Sequence, residues 1–268
     1  MAYKIFHIIR KEFHEEISYR LDFFLHVLYL FLFTLVFFFV AKIVGGAGSV
    51  HLERYGGDYF SFVLVGLAFV GYLNTGLQSF SDEIRREQIY GTMEILLSTP
   101  TPLTFILCAR LLWNFLYESF HLGLYFAAGV FLLNARYTGE SWHFIPLILV
   151  LSFISHAGLG MISASFILVL KRGNPVNYLL GTAAQLLGGV YFPVSVLPAA
   201  LQTASAFLPI TYSLRLMREV CIRGAAFREI AGDLAVLAAL SAVLLPVSVA
   251  CFNWALRRAR MDGSLTHY

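Results

Sequence analysis

Charge is what this sequence has least of. Only 13% of its 268 residues are Asp, Glu, Lys or Arg, against roughly a quarter in an ordinary soluble domain. The shortage argues against a water-facing globular exterior, because a soluble chain of this length still needs charged groups around its core. Cysteine is scarce as well. Cys108, Cys221 and Cys251 are odd in number and form no CxxC pair, so neither a disulfide framework nor a thiolate metal site is supported. There is no HExxH, no defensible Ser/His/Asp arrangement and no GxxxxGK[ST] loop to cradle a phosphate. No basic stripe interleaved with aromatics suggests a nucleic-acid partner. The net charge of +3 needs no polyanion to explain it.

Hydrophobic side chains fill the space instead, at 59% of the chain with a mean hydropathy of +0.74. Since about 20 apolar residues cross the hydrocarbon of a bilayer, six stretches are expected to span. They are residues 21–43, 59–80, 104–133, 144–170, 176–192 and 234–256. Their continuous apolar character, without the alternation of a barrel strand, predicts helices. The run FLFTLVFFFV reads as lipid-facing bulk. Gly45, Gly46, Gly48, Gly56 and Gly57 read as turns beside short loops.

Basic residues orient the chain. With the N-terminus inside, eleven Lys and Arg fall in inner segments and six in outer ones, which favours both termini in the cytoplasm. The exception is the outer connection holding Arg215, Arg218, Arg223 and Arg228. No cleavable signal peptide is expected, because MAYKIFHIIRKEFHEEISYRLDFF interleaves charge with apolar residues. Phe6, Ile9, Phe13 and Ile17 share one helical face, with Lys4, Lys11, Glu15 and Ser18 opposite. Residues 1–20 therefore predict a helix lying in the membrane interface.

Two connections carry unusual features. In residues 81–103, SDEIRREQIYGTMEILLSTPTPL, charge places the first half in water, Gly91 breaks the helix, and Thr92 is placed to cap a second, short one. Glu94 would sit in its first turn and Pro100 and Pro102 would end it, leaving Met93, Leu96 and Leu97 on one apolar face. Such a face either takes a partner or packs on the protein's own helix ends and lipid. In residues 188–198, GGVYFPVSVLP, two prolines interrupt the fifth apolar run, and Pro209 follows. Short helical pieces after such a break suit re-entrant or interfacial segments, with a simple kink as the alternative.

Polar groups inside the spans are the remaining signal, since each costs about 2.5–3.5 kcal/mol at mid-depth unless it faces protein or water. Arg110, Asn114, Glu118 and His121 fall within an arc of about 80° on one helix face. Asn74 and Gln78 make an i, i+4 pair in the second span, and His156 and Gln185 add single groups. Two readings stand: a substrate pathway, or interhelical bonding that includes a Glu118 pair with Arg110 or His121. In the fourth span Ser152, His156, Gly160 and Ala164 recur every four residues, a face that lets helices approach closely.

EIRREQIYGTMEILLSTPTPLTFILCARL resembles the type-2 permeases of ATP-binding-cassette exporters, in which an acidic-basic run precedes a G-T-x-E-x-L-L segment and a T-P. GGVYFPVSVLPAALQTASAFLPITYSLRLMRE resembles the same family's block near the fifth span. With six spans and cytoplasmic ends, the resemblance covers nearly the whole chain. It implies an all-α integral membrane protein of one transmembrane domain, residues 1–268, with an interfacial helix, a cytoplasmic coupling helix and re-entrant helices in residues 193–230 before the last span. It further implies a docking core of Glu87, Gly91, Thr92, Glu94, Leu96 and Leu97 for a separate cytoplasmic ATPase. That subunit would bind ATP and magnesium, with no cofactor in this chain. Asn114, Glu118, His121, Phe192, Pro193 and Pro198 become candidates for pathway or gate.

The expected partners are that ATPase, membrane lipids, and a second copy or similar permease; the expected place is a prokaryotic plasma or inner membrane. Cargo is expected to be hydrophobic or amphipathic, with a lipid-linked saccharide as the alternative. Rival readings are a non-transporting membrane anchor or assembly factor, and an intramembrane enzyme acting on lipid through Glu118 and His121. The latter lacks a second deep acid or metal cluster.

Overall fold

The computed structural model of the chain describes residues 2–44, 52, 55, 58–92, 95, 98–135, 137–170 and 175–261. Among these, the ordered elements are helices: α1 (Ala2–Ser18), α2 (Arg20–Val44), α3 (Tyr59–Ile89), α4 (Leu103–Leu133), α5 (Ile145–Leu170), α6 (Pro175–Leu187), α7 (Ala199–Ser205), α8 (Pro209–Arg218) and α9 (Phe227–Met261). Helices α2, α3, α4, α5 and α9 are each long and apolar enough to cross a bilayer. Residues 176–192, expected to be a fifth span, form the 13-residue α6 and then leave helical geometry. At about 1.5 Å per residue α6 covers about 20 Å, short of the ~30 Å hydrocarbon core. The apolar run continues past it, but Gly189 takes φ +82°, a left-handed conformation that stops the helix there.

Helix α3 is the axis of the bundle. Its Phe62, Leu64, Phe69, Tyr72 and Leu77 are sealed from solvent, and it packs against both α4 and α5 while α9 lies along α5. Small residues make the α3–α5 seam. A side chain on Gly160 would collide with the Gly76 carbonyl, and one on Gly76 would strike the His156 side chain. Gly160 and His156 thus bring the stripe of Ser152, His156, Gly160 and Ala164 to this seam, and all four are buried. Ser155 and Ser241 meet at 2.8 Å where α5 and α9 cross.

Helix α2 is held more loosely. Leu25, Leu28, Leu32, Val36, Phe39 and Ile43 face outward. The aromatic run expected to be lipid-facing divides: Phe38 sets its ring 5.4 Å from Phe60, and Phe37 stacks on Tyr191 at 5.7 Å. Helical periodicity turns every third or fourth ring inward, which a uniformly apolar run conceals.

At the end of the bundle remote from α1, the chain after α6 folds back in pieces. Pro193 is extended, residues Val194–Val196 make a single 3-10 turn, and Pro198 precedes α7. Helix α8 continues into a π turn, Glu219–Arg223, whose Cys221 carbonyl accepts the Thr138 amide at 2.8 Å. Of the four basic residues that departed from the orientation rule, two are paired with acids here and a third is buried. Arg215 pairs with Asp233 at 2.9 Å, Arg223 pairs with Glu219, and Arg218 is buried.

Candidate functional site

The site begins where α3 ends. Gly91, at φ +68°, closes the helix, and the Thr92 amide donates to the Glu87 carbonyl at 3.0 Å. That six-residue closure with a left-handed glycine is a Schellman stop. It turns the Thr92 hydroxyl onto the Glu87 carboxylate. Glu87 also accepts from Arg110 Nη1 at 3.1 Å, so one carboxylate joins the α3–α4 connection to the first turns of α4.

Arg110 is the hub. Besides Glu87 it contacts Glu83 and lies 3.4 Å from Glu12 of α1, an ion-pair distance without hydrogen-bond geometry. Glu83 in turn receives Arg86 at 2.9 Å. One guanidinium offers donors in a rigid fork, which suits several carboxylates at once. The side chains are mostly withdrawn from solvent, so their mutual neutralisation counts for more than at an open surface. Helix α1 is tied in further by Tyr117 donating to Glu16 at 2.5 Å, Lys4 donating to Thr101 at 2.7 Å, and Phe13 against Trp113. Phe6, Phe13 and Ile17 remain exposed along its outer face.

Behind this ion cluster lies a polar cavity of about 380 Å³ between α1, α3 and α4, lined among others by Asn74, Gln78, Asp82, Arg110, Asn114 and Glu118. Asn114 donates to Ser79 at 3.0 Å, and Thr75 donates to the Glu118 carboxylate at 2.7 Å. Gly71 is what lets that carboxylate in: a side chain there would overlap it. Asn74 accepts from Gln185 of α6 at 3.3 Å, and Tyr191 donates to Gln185 at 3.1 Å, carrying the polar chain toward the break after α6. The cavity's lining suits water or a polar group.

The arrangement matches a known family. Residues 8–222 match the ABC-2 type transporter family. The chain belongs to that family. It is similar to the Escherichia coli K12 protein described as inner membrane transport permease YadH, at 24% identity over 182 residues, covering 68% of this chain and 69% of that protein. The Shigella flexneri protein of the same description matches to the same extent. As an ABC-2 type chain with several apolar helices, this is a membrane protein of the transport-permease kind.

For this ABC-2 type permease, the expected site residues divide into three groups. Glu87, Gly91 and Thr92 come together with Arg110 at the end of α3, whereas Glu94, Leu96 and Leu97, with Met93, lie outside the described residues. Asn114 and Glu118 line the polar cavity. His121 does not; it is buried, stacks on His26 at 4.5 Å and meets Tyr117 edge-on at 4.2 Å, with neither ring nitrogen hydrogen-bonded. The pairing of Glu118 with Arg110 or His121 is replaced by Thr75, because Arg110 is already surrounded by three acids. Phe192, Pro193 and Pro198 stand at the opposite end of the fold, in the break before α7. Glu12, Glu16, Glu83 and Thr75 were not singled out from sequence. The i, i+4 spacing of Glu12 and Glu16 on a third face of α1 was the available signal.

Proposed function

We propose that this chain is the membrane-spanning permease subunit of an ATP-binding-cassette exporter. It moves a hydrophobic or amphipathic substrate, a drug, lipid or lipid-linked glycan, out of the cytoplasm or inner leaflet. A separate cytoplasmic ATPase binds ATP and magnesium and drives it, and a second copy or a similar permease completes the pathway. In this reading both termini are cytoplasmic, α6 with the chain after it makes a sixth crossing, and residues 193–230 form re-entrant pieces on the outer side. Glu87, Gly91, Thr92, Glu94, Leu96 and Leu97 dock the ATPase, and Asn114 and Glu118 line the way through.

The observation that carries this reading is the double engagement of Glu87. It holds Thr92 of the connection and Arg110 at the cavity mouth, so a displacement of the connection by an ATPase is passed to α1, α3 and α4 together. The absence of a phosphate-cradling loop in the sequence supports placing the motor on another polypeptide. Co-expression with a candidate cytoplasmic ATP-binding-cassette ATPase, purification and reconstitution in vesicles test the reading. ATP-dependent efflux from the complex, with no hydrolysis by this chain alone, is the expected result. Hydrolysis by the isolated chain, or failure of the co-expressed ATPase to associate with it and drive efflux, would overturn it.

A further inference from the structure

Arg218 of α8 is only 3% exposed, yet no carboxylate among the described residues lies within ion-pair reach of it. Its neighbours Arg215 and Arg223 each have an acid. The guanidinium is positioned by two backbone carbonyls, Nε donating to Phe62 at 3.2 Å and Nη2 to Val190 at 3.0 Å, and it lies 3.4 Å over the Phe62 ring. Gly66 permits this, since a side chain there would collide with the Val190 carbonyl. Two of five N–H groups are thereby used. Carbonyl dipoles and a ring face orient the cation without neutralising it, and an unneutralised buried charge is costly.

The same guanidinium lines a cavity of about 290 Å³ bounded by the break segment Pro193, Val194 and Ser195 and by Thr211 and Arg215 of α8. Among the described residues, no acidic side chain lines it. We propose that this cavity binds a phosphate-type oxyanion, with Arg218 supplying the charge and the directed donors. The volume suits a headgroup phosphate rather than a long saccharide. Bound there, the anion fastens the break segment to α3 and α8. Its source is either a membrane phospholipid or a phosphate carried by the cargo, and only the second rests on the transport reading above.

Thermal unfolding of the full chain in maltoside micelles tests the site. The probes are inorganic phosphate against chloride at matched ionic strength, and phosphatidylglycerol against a galactosyl diacylglycerol of the same acyl chains. A saturable rise of about 3 °C or more is expected with at least one phosphate probe. A rise with phosphatidylglycerol alone assigns a lipid, and a rise with inorganic phosphate assigns a site open to free or cargo phosphate. Ser195→Glu, which places a carboxylate at the exposed wall and leaves both carbonyl bonds of Arg218 intact, should abolish the rise. Arg218→Gln should do the same, and if it fails to fold, Ser195→Glu still decides. No rise with either probe, or an undiminished rise in Ser195→Glu, overturns the proposal. Failure to copurify an ATPase would leave this result untouched.

Discussion

Arg110 and Glu118 sit two helical turns apart on α4 and face the same cavity, but their surroundings give them different roles. Arg110 is enclosed by Glu12, Glu83 and Glu87. Removing it leaves three carboxylates facing one another with only the outlying Arg86 beside Glu83 and Lys11 beside Glu12, which costs more than the pairs were worth. Arg110→Ala is therefore expected to lower stability by about 1–3 kcal/mol, seen as a fall of several degrees in the melting temperature of the purified chain. A melting temperature equal to the parent's would mean that Arg86 or water takes its place. Glu118, by contrast, accepts one hydroxyl from Thr75 and otherwise faces the cavity. Glu118→Gln keeps the acceptor and the shape while removing the charge, so the melting temperature should hold within about 1 kcal/mol of stability while vesicle efflux falls. Loss of assembly in that variant would show the carboxylate to be packing rather than pathway.

Elements whose identity rests on apolar length were legible from sequence; those set by a turn or by a distant partner were not. Helices α2, α4 and α5, Arg20–Val44, Leu103–Leu133 and Ile145–Leu170, begin and end within a residue of the apolar runs. Helix α9 extends well past its run at both ends, because Arg228, Glu229 and Ala231 at one end and RRARM at the other favour helix outside the hydrocarbon, where hydropathy carries no signal. Helix α6 stops short because Gly189 turns the chain within a segment that is still apolar. The ties between α1 and α4 join residues about a hundred positions apart, Glu16 with Tyr117 and Glu12 with Arg110. No local period announces them. The α3–α5 seam was legible as a small-residue stripe, and it makes a prediction at this scale. Gly160→Val would drive methyl groups into the Gly76 and Leu77 carbonyls, separating two helices at a cost of about 1–3 kcal/mol. Gly123→Ala on α4, where an added methyl meets nothing within 4 Å, should be neutral or slightly stabilising. Equal melting temperatures for the two variants would refute the seam as a point of close approach.

At the scale of the whole molecule, work from a cytoplasmic ATPase would have to cross to a path through lipid. The α3–α4 connection leaves α3 through a glycine stop that sets Thr92 back against the last turn of the helix. What grips it is Glu87, shared between the Thr92 hydroxyl and the Arg110 guanidinium. If that shared carboxylate transmits the stroke, weakening one of its two bonds should separate ATP hydrolysis from transport without dissociating the complex. Thr92→Val keeps the branched shape and removes only the hydroxyl, a change of about 0.5–1.5 kcal/mol in a hydrogen bond. In a reconstituted complex the variant should retain its ATPase partner and its rate of hydrolysis, while cargo moved per ATP falls. Loss of the partner would instead mean that the Thr92 hydroxyl is itself needed to hold the ATPase, and an unchanged ratio of transport to hydrolysis would show that the stroke travels by another route.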